Sequence, residues 1–234
     1  MALEDPIPFE LLSYVGSLFA PQNAALGRLT EAARAAQMPE GWEISPDVGR
    51  TMELLCRAVG ARRALEFGTL AGHSAYWLAR GVGPEGRVVS IEIRPDYAGA
   101  AAAALRDIGV GDRVQVRVGA AWEMTEVLAK EAEASGERFD AIFLDADKAR
   151  YPEFLEWTPR VLRPGGILFA DNVLRADSWR GQTLLDPKSD DPRILAIRRF
   201  NESLATHPDF TAMILPMRAG LAVGLYHPGA FRSG

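Results

Sequence analysis

FDAIFLDA (139–146) and, one helix length later, GGILFAD (165–171) are apolar almost throughout until each reaches an aspartate near its end. Strands with one wet face alternate apolar and polar residues, so runs without alternation belong in the middle of a sheet covered on both sides. Working outward, strand-like and helix-like segments take turns. Toward the N-terminus lie a helix near 121–134, VQVRVG (114–119), an alanine-rich helix near 96–108, GRVVSIEI (86–93) and RALEFG (63–68). Between the two apolar runs lies a helix near 151–162. This alternation predicts an α/β fold with a mostly parallel sheet and helices on both faces. Near the C-terminus it stops. TAMILPM (211–217) and LAVGLYH (221–227) flank a short glycine-containing turn, which predicts a hairpin placing an antiparallel strand in a sheet of seven. DPKSDDPR (186–193) is the most polar stretch and reads as an exposed loop.

The 234 residues are read as a single domain, with a helical preface and loop at 1–46 and an α/β core at 47–234. Helix-favouring stretches over 9–36 are broken by Pro21, and QMPEGWEISPD (37–47) reads as a loop. In the helix over 47–59, Val48, Met52, Leu55 and Val59 recur at helical spacing, which makes Cys56 a packing residue. Hydrophobic residues at 48% and charged residues at 24% argue against disorder, and a net charge of −5 argues against a nucleic-acid partner. A lone cysteine rules out an internal disulfide framework and a multi-cysteine zinc site. MALEDPIPFE has Glu4 and Asp5 where a secretory signal carries positive charge, and no apolar stretch reaches bilayer-spanning length, so the expected location is cytoplasmic.

LEFGTLAGHSA (65–75) follows the first strand and opens a helix, the place where α/β sheets seat nucleotide-like ligands. Gly68 and Gly72 let backbone approach a ligand, although an ordinary strand-to-helix turn uses the same residues. The spacing lacks G-x-G-x-x-G, and Glu66 would repel a pyrophosphate while attracting a cation. Glu92 ends the next strand, where a carboxylate accepts hydrogen bonds from ribose hydroxyls or is simply solvated. Asp145, Asp171 and Asn172 fall at the ends of the two apolar strands. Neighbouring parallel strands bring such ends together, and three oxygen ligands suit magnesium, manganese or calcium better than zinc.

Taken together, LEFGTLAGHSAYWLA, VVSIEI, FDAIFLDADKARY and LRPGGILFADNVL resemble the cation-dependent O-methyltransferases of the catechol and caffeoyl-coenzyme A type, which have a Rossmann-like methyltransferase fold. The likeness runs from about residue 44 to 227 and is weakest before residue 38. It implies S-adenosylmethionine (SAM) as cofactor, held by Glu66, Gly68, Thr69, Ser74 and Glu92, with Ala121 and Trp122 beside the adenine. Trp122 reads equally well as helix packing. The resemblance also implies Asp145, Asp171 and Asn172 as ligands of a divalent ion, magnesium first, with manganese or calcium as alternatives. Lys148 becomes the base that takes or stabilises the departing proton, with Asp145 shared between catalysis, cofactor and ion. Asp147 is carried over as a cofactor-side residue or as a helix cap. The activity implied is methylation of a small catechol-like or other phenolic hydroxyl by a homodimer.

The chain departs from the family pattern at two places. His73 stands where relatives often have tyrosine, and reads as a capping or packing histidine. DNVLRADSWRGQ (171–182) replaces a shorter segment, so Trp179 and Arg180 are candidates to stack on and orient an aromatic substrate, or belong to a surface loop. A nicotinamide-dependent dehydrogenase is disfavoured by the missing glycine motif. A base methyltransferase is disfavoured by DADK (145–148) standing where a D/N-P-P-Y segment is expected, and a non-catalytic cofactor binder by the intact set of candidate ligands and base.

Overall fold

The computed structural model describes residues 8–174 and 184–229. Its strands are β1 (Arg63–Phe67), β2 (Arg87–Glu92), β3 (Val114–Val118), β4 (Phe139–Leu144), β5 (Leu162–Asp171), β6 (Phe210–Leu215) and β7 (Leu221–Tyr226). They form one seven-stranded sheet in the order β3-β2-β1-β4-β5-β7-β6. The pairs from β3 to β5 are parallel, and β7 runs antiparallel between β5 and β6. The chain builds outward from β1 to β3 and then returns to the other side of β1 as β4. The crevice above that reversal is where open α/β sheets bind ligands.

Eight helices surround the sheet among the described residues: α1 (Phe9–Phe19), α2 (Ala24–Ala35), α3 (Pro46–Ala58), α4 (His73–Gly81), α5 (Pro95–Asp107), α6 (Ala121–Ser135), α7 (Tyr151–Trp157) and α8 (Pro192–Ala205). Successive strand residues supply opposite layers. Ala64, Phe143 and Phe169 join a core with α2, α3, α4 and α5, while Leu65, Ile142 and Leu168 join a second core with α6, α7 and α8. Every residue of β4 is buried, as its unbroken apolar run requires. Cys56 lies wholly inside the first core, where burial pushes its thiol up to about 12. It is a packing residue.

Three readings need correction. α8 stands where the alternation predicts no helix. Its signals are Asp191, whose carboxylate accepts the Arg193 N–H at 2.9 Å, Pro192 in the first turn, and Ile194, Ile197, Phe200 and Leu204 as the buried stripe. The stretch leading into it is not simply exposed, because Ser189 and that capping Asp191 are both buried. The helix expected over 151–162 ends at Trp157 and passes through a 3₁₀ turn at Thr158–Arg160, after which β5 begins early, with Leu162 paired to Phe139 across an irregularity in the ladder. No described helix is long and apolar enough to cross a membrane. α1 leaves Leu11, Leu12, Tyr14, Val15, Leu18 and Phe19 exposed.

Candidate active site

Backbone bonds draw the strand tips into one line. Gly68 N–H donates to the Ile91 carbonyl, Asp145 N–H to that of Phe67 and Gly119 N–H to that of Glu92, each at 2.9 Å. The C-terminal ends of β1, β2, β3 and β4 therefore meet at one edge, and β5 joins them through its parallel pairing with β4. The turn after β1 is forced by its residues. Gly68 has φ +102°, and a Cβ there would lie 2.4 Å from the Asp145 carbonyl oxygen. Gly72, at φ +88°, starts α4.

Glu66 is wholly buried below this turn. Its Oε2 accepts the Ser90 hydroxyl, Ser90 Oγ lies 2.5 Å from Thr69 Oγ1, and its Oε1 is buried with no hydrogen-bond partner. Burial pushes the Glu66 carboxyl up to about 8, opposed by the Ser74 and Ser90 hydroxyls and reinforced by the charges of Asp145 and Glu92. Ser90 was not singled out in the sequence, where its signal is a polar residue interrupting VVSIE. Glu92 accepts the Leu70 N–H at 2.9 Å and the Arg94 N–H at 3.0 Å, so it is oriented from two sides rather than left in solvent. Trp42, Glu43 and Ile44 cover the turn from the loop before α3 and line a cleft with Gly68, Thr69, Leu70, His73, Ser74 and Asp145. In the sequence these three residues show only as part of the loop over 37–47.

On the β3 side, Ala121 and Trp122 open α6. Trp122 packs edge-on against Phe154 at 5.4 Å between centroids, and the Arg150 guanidinium carbon lies 5.5 Å from its ring centre. His73 is buried at the start of α4, where Nε2 meets Thr30 Oγ1 at 3.1 Å and burial holds the imidazole below its usual value. Of the capping and packing roles read from sequence, the structure shows packing. Asp147 is exposed and caps the 3₁₀ turn at Lys148–Arg150 by accepting the Ala149 N–H at 3.1 Å. Trp179 and Arg180 lie outside the described residues.

At the tips of β4 and β5, Asp145 and Asp171 stand one step beyond the Leu144–Ala170 pair. Lys148 Nζ contacts Asp145 Oδ1, and the Asn172 N–H donates to Asp171 Oδ1 at 2.8 Å. Burial raises both carboxyls. Lys148 pulls Asp145 back, whereas the Asp145 charge adds to the rise of Asp171, which reaches about 6. Asn172 ends the strand at φ +62°, a left-handed conformation that asparagine tolerates better than most residues. Among the described residues, no cluster of three or more His, Cys, Asp or Glu could hold a metal ion. The set here is two carboxylates and one amide. A buried Asp171 and a part-buried Asp145 faced by a single lysine, with only oxygen donors, fit a hard divalent cation.

The fold and crevice define a nucleotide-cofactor enzyme of the α/β class whose binding edge is lined with carboxylates, and a pyrophosphate would be repelled there. Residues 18–226 match the family model described as O-methyltransferase, and the chain belongs to that family. It is 37% identical over 209 residues to the catechol O-methyltransferase of Mycobacterium tuberculosis, covering 89% of each chain. A solved O-methyltransferase from Bacillus cereus in complex with SAH superposes with a TM-score of 0.81 at 34% identity, covering 93% of this chain and 97% of that one. The O-methyltransferase TomG from Streptomyces achromogenes, in complex with SAM, gives a TM-score of 0.82 at 33% identity, covering 93% and 96%. The chain is thus a SAM-dependent O-methyltransferase with a Rossmann-like fold.

Proposed function

We propose that this enzyme methylates a small catechol-like or other phenolic hydroxyl with the help of a divalent cation held by Asp145, Asp171 and Asn172. The carrying observation is the Asp145–Asp171 pair, Asp171 buried and Asp145 part-buried, with Lys148 beside it, at the strand tips adjoining the cofactor turn. The name of the mycobacterial relative, catechol O-methyltransferase, supports the substrate class. A bound ion, magnesium first, with manganese or calcium as alternatives, supplies positive charge that favours a phenolate over a phenol.

The chain's own residues do the rest. Asp145 keeps Lys148 in place; as the neutral amine Lys148 Nζ takes the proton that leaves the substrate hydroxyl, and as the resulting ammonium it stabilises the phenolate left behind. Glu92 receives the ribose hydroxyls on lone pairs not used by Leu70 and Arg94. Gly68, Thr69 and Ser74 line the cleft for the amino-acid end of SAM, and the unpartnered Glu66 Oε1 is a free acceptor toward that cationic ligand, whose charge draws the carboxyl back toward its ionised form. Ala121 and Trp122 flank the adenine, and Asp147 stands on the cofactor side.

The test is transfer of labelled methyl from SAM to a panel of catechols and single phenols, with and without chelator. Vicinal diols should accept methyl, and chelator should cut turnover by roughly 100-fold or more, restored by added Mg²⁺. Full turnover after thorough ion removal would sink the metal role, and no transfer to any phenol would sink the substrate class.

We infer also that two copies associate through α1, whose exposed apolar side chains stand on a helix with Glu10 as its one charge. Sedimentation should give twice the chain mass of 25.5 kDa, and Leu18→Glu should shift it toward one copy. A wild-type monomer at micromolar concentration would overturn this inference.

A further inference from the structure

We infer that the Tyr151 hydroxyl is a positioning group for this site: it ties the tips of β4 and β5 together and so sets the spacing of Asp145 and Asp171. The inference rests on the proposed reading of those two residues as ion ligands.

The ladder between the two strands ends at Leu144–Ala170. Beyond it the tips turn to different neighbours. Asp145 N–H bonds to Phe67 on β1, while past Asp171 the chain turns through the left-handed Asn172 and Val173 N–H bonds to the Gly220 carbonyl in the hairpin. No ladder bond crosses from one tip to the other, and the neighbouring charges of Asp145 and Asp171 repel each other there. Tyr151, the first residue of α7 and wholly buried, spans that gap. Its hydroxyl lies 2.8 Å from the Leu144 carbonyl and 3.2 Å from the Asp171 carbonyl. One proton shared between two acceptors holds both tips at once, one immediately before Asp145 and one on Asp171 itself. The ring face also lies 5.5 Å from Lys148 Nζ, and Phe200 packs edge-on behind it at 5.4 Å. A single rigid side chain therefore touches the segments that carry both acids and the lysine.

Tyr151→Phe removes the tie and keeps the ring. Titration with Mn²⁺ alone, read by electron paramagnetic resonance, should show affinity weaker by about 10–100-fold, the usual effect of losing a group that orients a ligand. SAM binding, measured separately by calorimetry, should be unchanged, and kcat should fall with KM for SAM retained. Phe200→Leu is the control, since it loosens the same packing without touching the hydroxyl and should lower the melting temperature while leaving Mn²⁺ affinity intact. Equal Mn²⁺ affinity in wild type and Tyr151→Phe would overturn the inference alone. Wild-type protein that binds no Mn²⁺ would overturn the ligand reading and the inference with it. A second measurement needs no substitution: saturating Mg²⁺ should move the Tyr151 hydroxyl proton resonance of the wild-type protein, and an unmoved resonance overturns the inference.

Discussion

Gly68→Ala is expected to cost the fold roughly 2–5 kcal/mol and to remove SAM binding with it. The residue has φ +102°, which side-chain-bearing residues rarely adopt, and its added carbon would lie 2.4 Å from the Asp145 carbonyl oxygen and 2.9 Å from the carbonyl carbon. Those are backbone atoms and cannot swing aside. Gly68 is pinned to β2 through Ile91, and Asp145 to β1 through Phe67, so relief has to come from moving the β4 tip. That movement displaces Asp145 and opens the turn over Glu66. Thermal unfolding should show a midpoint about 5–15 °C lower, and calorimetry should show no SAM binding. Gly60→Ala is the comparison: its φ of +65° also disfavours alanine, but nothing lies within 4 Å of the added carbon. It should cost only about 1 kcal/mol. A Gly68→Ala protein as stable as Gly60→Ala that still binds SAM would show that the turn yields where the geometry says it cannot.

How much of this was legible beforehand follows from which interactions are local. The unbroken apolar runs of β4 and β5 declared their burial, and the alternation around them carried the sheet. The antiparallel strand was visible because its turn contains Gly220, which sits at φ +85°. α8 carries a cap and a buried stripe, but the polar run directly before it has the composition of a loop and masks where the helix starts. In the site, the acids at strand ends were legible because strand ends have a fixed place in a parallel sheet. Ser90 and Tyr151 were not, since each acts across separate elements: Ser90 on Glu66 across the β1–β2 pair, and Tyr151 from α7 on Leu144 and Asp171 at the ends of two strands. A hydroxyl announces nothing in sequence about which carbonyl it will meet. Trp42, Glu43 and Ile44 lay in a loop whose path over the Gly68 turn only the folded chain displays.

Asp171→Asn should separate the demands of chemistry from those of stability, because the two effects have opposite signs. If Asp171 holds the ion, losing its charge removes several kcal/mol of transition-state stabilisation, so methyl transfer should fall by about 1,000-fold or more. Without the ion the same charge is a burden. Burial and the neighbouring Asp145 raise the Asp171 carboxyl from 3.8 to about 6. Below pH 3.8 the folded and unfolded chains both hold the proton, and the charge contributes nothing. As pH rises from there to about 6 the unfolded chain ionises first, stability falls through that window, and above it the full cost remains. The asparagine variant, whose amide oxygen can still accept the Asn172 N–H, should therefore unfold later than wild type at pH 7.5, by on the order of 2 kcal/mol. The difference should close toward pH 4. Asp145→Asn should gain less, since that carboxylate is drawn back by Lys148 and its loss leaves the lysine without its partner. Saturating Mg²⁺ should reverse the order by stabilising wild type and not the Asp171→Asn variant. A variant that unfolds earlier at pH 7.5, or one that turns over at the wild-type rate, would mean the charge is kept there for some reason other than an ion.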